Sequence, residues 1–152
     1  MELDRIDKQL LCLIQKNARL TAAQLGEQVG LSASPCARRL RVLEEQGYVT
    51  GIHAQVDRRK LGLQMTIFVH VRLSQHQEQW ADQFEEAINT MAEVITCHIV
   101  SGSFDYLLQV VVRDLVAYER WVKRLQGLAM VAQIDSSFAI RTIKEQSIID
   151  PG

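Results

Sequence analysis

Residues 32–47, SASPCARRLRVLEEQG, set three arginines within four positions of a chain whose net charge is only −1. The apolar residues of this stretch decide how it folds. Cys36, Leu40 and Leu43 recur at the i, i+4, i+7 spacing of one helix face, so a helix is predicted with these three turned inward. Ser34 suits the N-cap and Pro35 the first helical position, where a missing N–H removes no hydrogen bond. Gly47 marks the stop. With that face buried, Arg38, Arg41 and Glu45 project outward and Arg39 lies on the flank. A guanidinium fork can grip a guanine edge or a phosphate, yet a charge run on a helix is often only a solvated face. The neighbouring segments decide between the two.

Upstream, LDRIDKQLLCLIQKN places Leu3, Ile6, Leu10, Leu13 and Ile14 at helical spacing. Asp4 and Asp7 sit near its start, where the helix dipole favours acids. Cys12 lies beside the stripe and reads as packed. In the following segment Thr21 and Gln24 have capping-box spacing, Ala22, Leu25 and Val29 form the apolar face, and Gly30 closes the helix. Three short helices with a tight Gly30-Leu31-Ser32 turn before the last have the form of a helix-turn-helix, whose final helix enters the major groove by its N-terminal end. In that frame Ser34, Pro35, Arg38, Arg39 and Arg41 are the candidate DNA contacts.

After Tyr48 the pattern changes. The segment 51–64 is expected to form an extended strand or small wing and a linker. Its Arg58, Arg59 and Lys60 fit either a DNA-backbone contact or a solvated turn. From residue 65 the period becomes two, with Met65, Ile67, Val69, Val71 and Leu73 on one face. Trp80, Phe84, Ala87, Ile88 and Met91 then give a helical stripe. A strand with Ile95, Cys97 and Ile99 on one side follows, then YLLQVVV, a helix marked by Leu115, Tyr118, Val122 and Leu125, and a last strand. The order β-α-β-β-α-β predicts a ferredoxin-like α+β domain over 65–152, behind a helix-turn-helix domain over 1–50. Both helices must cover one face of the sheet. The other face, carrying Phe68, His70, Val94, Thr96, His98, Val100, Leu107 and Val111, is too apolar for water, and a second copy of the chain is its simplest cover.

The totals limit function. A hydrophobic fraction of 47% with 23% charged residues is that of a soluble globular protein. Residues 1–60 hold ten basic and seven acidic residues, and the remainder seven and eleven, which suits two modules with different partners. No apolar run approaches the length of a membrane span, and no secretory signal is visible at the start. Three cysteines without a CxxC spacing fit a reducing cytoplasm. His70 and His98 lack further ligands at metal spacing, and no triad, P-loop or zinc-protease pattern occurs, so neither cofactor nor catalysis is expected.

These motifs together resemble the Lrp/AsnC family, the feast/famine transcriptional regulators. The resemblance rests on Leu3-Asp4, Asp7, Gly30-Leu31-Ser32, Pro35-Cys36, Arg39, Leu43-Glu44 and Gly47-Tyr48-Val49, and extends over essentially the whole chain. It implies double-stranded DNA as partner and a small effector, commonly an amino acid, bound by the second half. It also implies a homodimer that assembles further, to octamers. The family's Gly-x-x-Asp loop corresponds to Gly102, Ser103, Phe104 and Asp105, followed by Tyr106; on residues alone Gly102 and Asp105 serve a hairpin turn equally well. Two other functions compete: a redox-responsive repressor using Cys36 or Cys97, and a ferredoxin-like small-molecule domain that does not bind DNA.

Overall fold

The computed structural model describes residues 2–75, 77–145 and 147–152. Helix α1 (Arg5–Lys16) starts at a reciprocal cap: Asp4 accepts the Asp7 N–H at 2.8 Å, and the Asp7 carboxylate accepts that of Asp4 at 3.2 Å. Helix α2 (Ala22–Val29) starts at the expected Thr21–Gln24 box and ends at Gly30. Helix α3 (Ala33–Glu45) begins two residues earlier than the sequence suggests. Its N-cap is Ser32, whose carbonyl accepts the Cys36 N–H at 3.2 Å. Ser34 and Pro35 therefore sit inside the first turn, where Pro35 still deprives the helix of no bond, because the first four N–H groups have no intrahelical acceptor. At the other end the N–H of Gly47 reaches Glu44 O and that of Tyr48 reaches Leu43 O, a Schellman closure.

Leu10, Leu11, Leu25, Cys36 and Leu43 form the core of this three-helix unit. Gly26 is buried where α2 meets the turn into α3. A Cβ there would stand 2.4 Å from the Leu31 carbonyl oxygen, so the tight turn requires glycine. The wing expected after Gly51 is not formed, since residues 51–57 pair with no strand among the described residues of this chain. The chain divides into two compact units, one running to Gln55 and including Lys144–Gly152, the other Val56–Ile143. The end of the chain thus packs with the helical unit, whereas the sequence pattern carries the second domain through 152. Gln15 of α1 holds it in place: its side-chain amide donates to Ile149 O at 3.0 Å and accepts the Ile149 N–H at 2.9 Å.

The second unit contains β1 (Met65–Leu73), α4 (Glu78–Asn89), β2 (Val94–Ile99), β3 (Tyr106–Val112), α5 (Leu115–Gln126) and β4 (Val131–Phe138). The sheet is antiparallel in the order β2-β3-β1-β4, the split arrangement the pattern predicts. Ile67, Val69 and Val71 pack with Phe84 and Ile88 of α4 and with Trp121 and Leu125 of α5, so both helices cover one face. Trp121, outside the expected stripe, is fully buried, while Leu115, expected inward, is 61% exposed. Leu115 is the first residue of α5, directly after the Asp114 cap, and lies beyond the packed turns.

One strand departs from simple alternation. The β2–β3 register shifts between Val94 and Thr96, and Val94 pairs with Val110 on the helix-covered side. Residues directly opposite each other in a sheet share a face, so Val94 leaves the open face on which the sequence placed it and packs against the core. Phe68, His70, Thr96, His98, Leu107 and Val111 remain on the open face by register.

Candidate nucleic-acid interface and effector loop

Positions 34, 38 and 41 repeat at i, i+4 and i+7 along α3, opposite Cys36 and Leu43. Ser34, Arg38 and Arg41 are all exposed, while Cys36 and Leu43 are fully buried. The buried side thus fixes the helix's rotation about its axis and aims this stripe outward. Pro35 is half-buried beside it. The first turn, which carries Ser34, also holds N–H groups without intrahelical acceptors and the positive end of the helix dipole, which favour phosphate.

Arg39 is differently placed. Its Nη1 lies 2.7 Å from both the Asp4 and the Asp7 carboxylates, so it ties α3 to the capped start of α1. Asp7 is only 6% exposed. The Asp4 carboxyl is held below its ordinary value chiefly by the Asp7 backbone N–H, with further help from Arg39. Both carboxylates raise the Arg39 guanidinium further. Sequence spacing carried the signal for this clamp. Asp7 falls on the Leu3, Leu10, Ile14 side of α1, and a carboxylate on an inward stripe needs a partner.

Arg59 and Lys60 are exposed on a turn of the second unit, where Asp57 accepts both their backbone N–H groups. The cysteines give a redox switch little support. Cys36 is buried, and desolvation pushes its thiol up; desolvation and then Glu85 push up that of Cys97. Raised thiols hold less of the reactive thiolate.

In the Gly102–Tyr106 segment the groups are divided between surface and scaffold. Gly102 (φ +112) and Ser103 are exposed, and Phe104 packs its ring 5.3 Å from that of His70. Asp105 is bound to the end of β1: its carboxylate accepts the Leu73 N–H at 2.7 Å, and its own N–H donates to Val71 O at 2.9 Å. Tyr106 turns into the helix-covered side, 4.5 Å from Phe84 between ring centroids, and its hydroxyl donates to Glu85 at 2.9 Å. Burial, then the Glu85 bond, pushes that hydroxyl well above its ordinary value. No group of three or more His, Cys, Asp or Glu residues suited to a metal occurs among the described residues.

A helix-turn-helix unit with an outward basic stripe, joined to a ferredoxin-like unit, defines a two-part DNA-binding regulator. The winged helix-turn-helix DNA-binding family matches residues 3–50, and the Lrp/AsnC ligand binding domain family matches residues 66–149. The chain is 38% identical to the Bkd operon transcriptional regulator of Pseudomonas aeruginosa, over 96% of each protein. Its fold is similar to the crystal structure of an AsnC family transcriptional regulator from Agrobacterium tumefaciens, with a TM-score of 0.92 and 35% identity, covering 97% of this chain and 96% of that one. It is similar too to a transcriptional regulator from Neisseria meningitidis in complex with L-Met, with a TM-score of 0.92 and 33% identity, covering 96% and 95%. The chain belongs to the Lrp/AsnC family and is a DNA-binding transcriptional regulator of that type. No helix among the described residues is long and apolar enough to cross a membrane.

Proposed function

We propose that Ser34, Arg38 and Arg41 read and grip duplex DNA, that Pro35 shapes the first turn of that helix, and that Arg39 acts as a positioning residue rather than a DNA contact. The observation that carries this is the division of α3 into a buried Cys36–Leu43 side and an exposed Ser34–Arg38–Arg41 side. Two copies joined through their open sheet faces would present two recognition helices to successive turns of one DNA face. Phe68, 40% exposed, and half-buried Leu107 supply apolar area for that contact. Further assembly toward octamers would add avidity and bend DNA.

The Gly102–Asp105 loop and Tyr106 serve a small effector, an amino acid; the Neisseria relative's structure in complex with L-Met supports that ligand class. The effector changes DNA affinity by preferring one assembly over another, since a ligand equal toward both shifts nothing. The protein works in the cytoplasm, without a catalytic step. Fluorescence anisotropy with the DNA upstream of its own gene, against a scrambled duplex and with amino acids added, tests the function; light scattering tests the assembly. Tighter binding to the upstream DNA, altered by one amino acid, is expected. Equal weak binding to both duplexes, or a monomer at micromolar concentration, would contradict it.

A further inference from the structure

Between α4 and the edge strand β2 lies a cleft of about 400 Å³, within the roughly 300–1,000 Å³ usual for ligand pockets. Ile88 and Tyr106 are its buried residues, and Cys97, His98 and Ile99 line it from β2. Ile99 is 75% exposed, an apolar side chain left at the wall of a cavity. Glu85 and Asn89, one helical turn apart on α4, also line it.

Glu85 is half-buried, and its only bonded partner among the described residues is the Tyr106 hydroxyl. No lysine or arginine pairs with it there. A carboxylate offers about four lone-pair sites, so most of its capacity is unspent. The raised Cys97 thiol and Tyr106 hydroxyl both register its negative field. Glu85 is the one acidic residue of this mixed lining and stands beside apolar Ile88 and Ile99, so an ammonium group with an aliphatic body satisfies both.

We propose that this cleft binds an aliphatic α-amino acid, its ammonium on Glu85, its side chain against Ile88 and Ile99, and its carboxylate at the Asn89 amide. The amino-acid assignment rests on the effector function proposed above, whereas the need for an ammonium rests on Glu85 alone. Cys97 is then covered by the ligand, which gives a direct readout.

In the full chain, the rate of Cys97 alkylation by iodoacetamide is followed by peptide mass spectrometry with L-leucine or L-methionine added. The near-ultraviolet circular dichroism of Trp121, fully buried in the same unit, reports any loss of fold. Glu85→Gln keeps an acceptor for the Tyr106 hydroxyl; Asn89→Asp, at an exposed position, is the second variant. One of the two amino acids is expected to slow alkylation, with the protecting concentration raised at least about tenfold in Glu85→Gln. Asn89→Asp is expected to weaken protection by the amino acid but not by isoamylamine, and 4-methylpentanoate should give none. Equal protection in the native chain and Glu85→Gln overturns the proposal. Equal protection by isoamylamine and the amino acid overturns the carboxylate contact and with it the amino-acid assignment. An amino acid that changes DNA binding without protecting Cys97 removes the cleft and leaves the effector function standing. Protection with unchanged DNA binding upholds the cleft and removes that function.

Discussion

The two units handle charge in opposite ways. On α3 the charged groups that matter are at the surface, held in place by an apolar stripe on the other side, and the one arginine that turns aside is spent on Asp4 and Asp7. In the sheet unit two polar side chains of the Gly102–Tyr106 segment are spent on the scaffold: Asp105 caps the end of β1 and Tyr106 reaches Glu85. The contrast shows that a polar residue in a family motif can serve the scaffold as readily as the ligand. A helix turned outward needs little beyond periodicity to be understood, whereas a loop must be seen in place.

If the units are built independently, their cores should fail independently. Leu43→Ala and Leu108→Ala each remove a fully buried side chain, one per unit. Each is expected to cost roughly 2–5 kcal/mol. Calorimetry or amide exchange should show Leu43→Ala unfolding the helices while the sheet stays protected; a single joint transition for both variants would break the comparison. Gly26→Ala sharpens it within the helical unit. Its Cβ would meet the Leu31 carbonyl at 2.4 Å, for an expected loss of about 1–3 kcal/mol and weaker DNA binding. Unchanged thermal stability would mean that the turn yields easily.

Arg39→Ala separates positioning from contact. It leaves buried Asp7 without its cation, at an expected cost of about 1–3 kcal/mol, and should leave the salt dependence of DNA binding unaltered. A shallower salt slope with native stability would return Arg39 to the DNA contacts. The smallest effect expected is with pH. Because folding lowers the Asp4 carboxyl, its contribution is complete above the ordinary value of 3.8 and is lost as pH falls through the lower folded value. Denaturant titrations at stepped pH should find Asp4→Asn less stable than the native chain near neutrality, the two converging in acid. A constant difference down to the most acid conditions would contradict that linkage.

Much of this fold was legible in the sequence because the deciding signals are local. The Thr21–Gln24 cap, Gly47 and the alternation of β1 each act within a few residues. The exposed stripe of α3 was legible for the same reason. The start of α3 was misread by two residues because Ser32 and Ser34 are equally good caps by type, and only the Cys36–Ser32 bond distinguishes them. The β2 bulge, which turns Val94 to the core, leaves no mark in composition. Spacing marks Asp7 as an inward carboxylate that needs a partner, but the partner, Arg39, lies 32 positions away, and Glu85 lies 21 from Tyr106, separations at which spacing rules do not name the pair.

The central claim is that the outward stripe of α3 reads DNA. Anisotropy on the upstream duplex and a scrambled control, across a salt series, tests it with the native chain, Arg38→Ala and Arg41→Ala. A base-contacting arginine should cost roughly 1–3 kcal/mol and narrow the gap between the two duplexes, and a phosphate-contacting one should weaken both and flatten the salt slope by about one unit. Native affinity and native salt slope in both variants would contradict the account and leave the arginines as a solvated face.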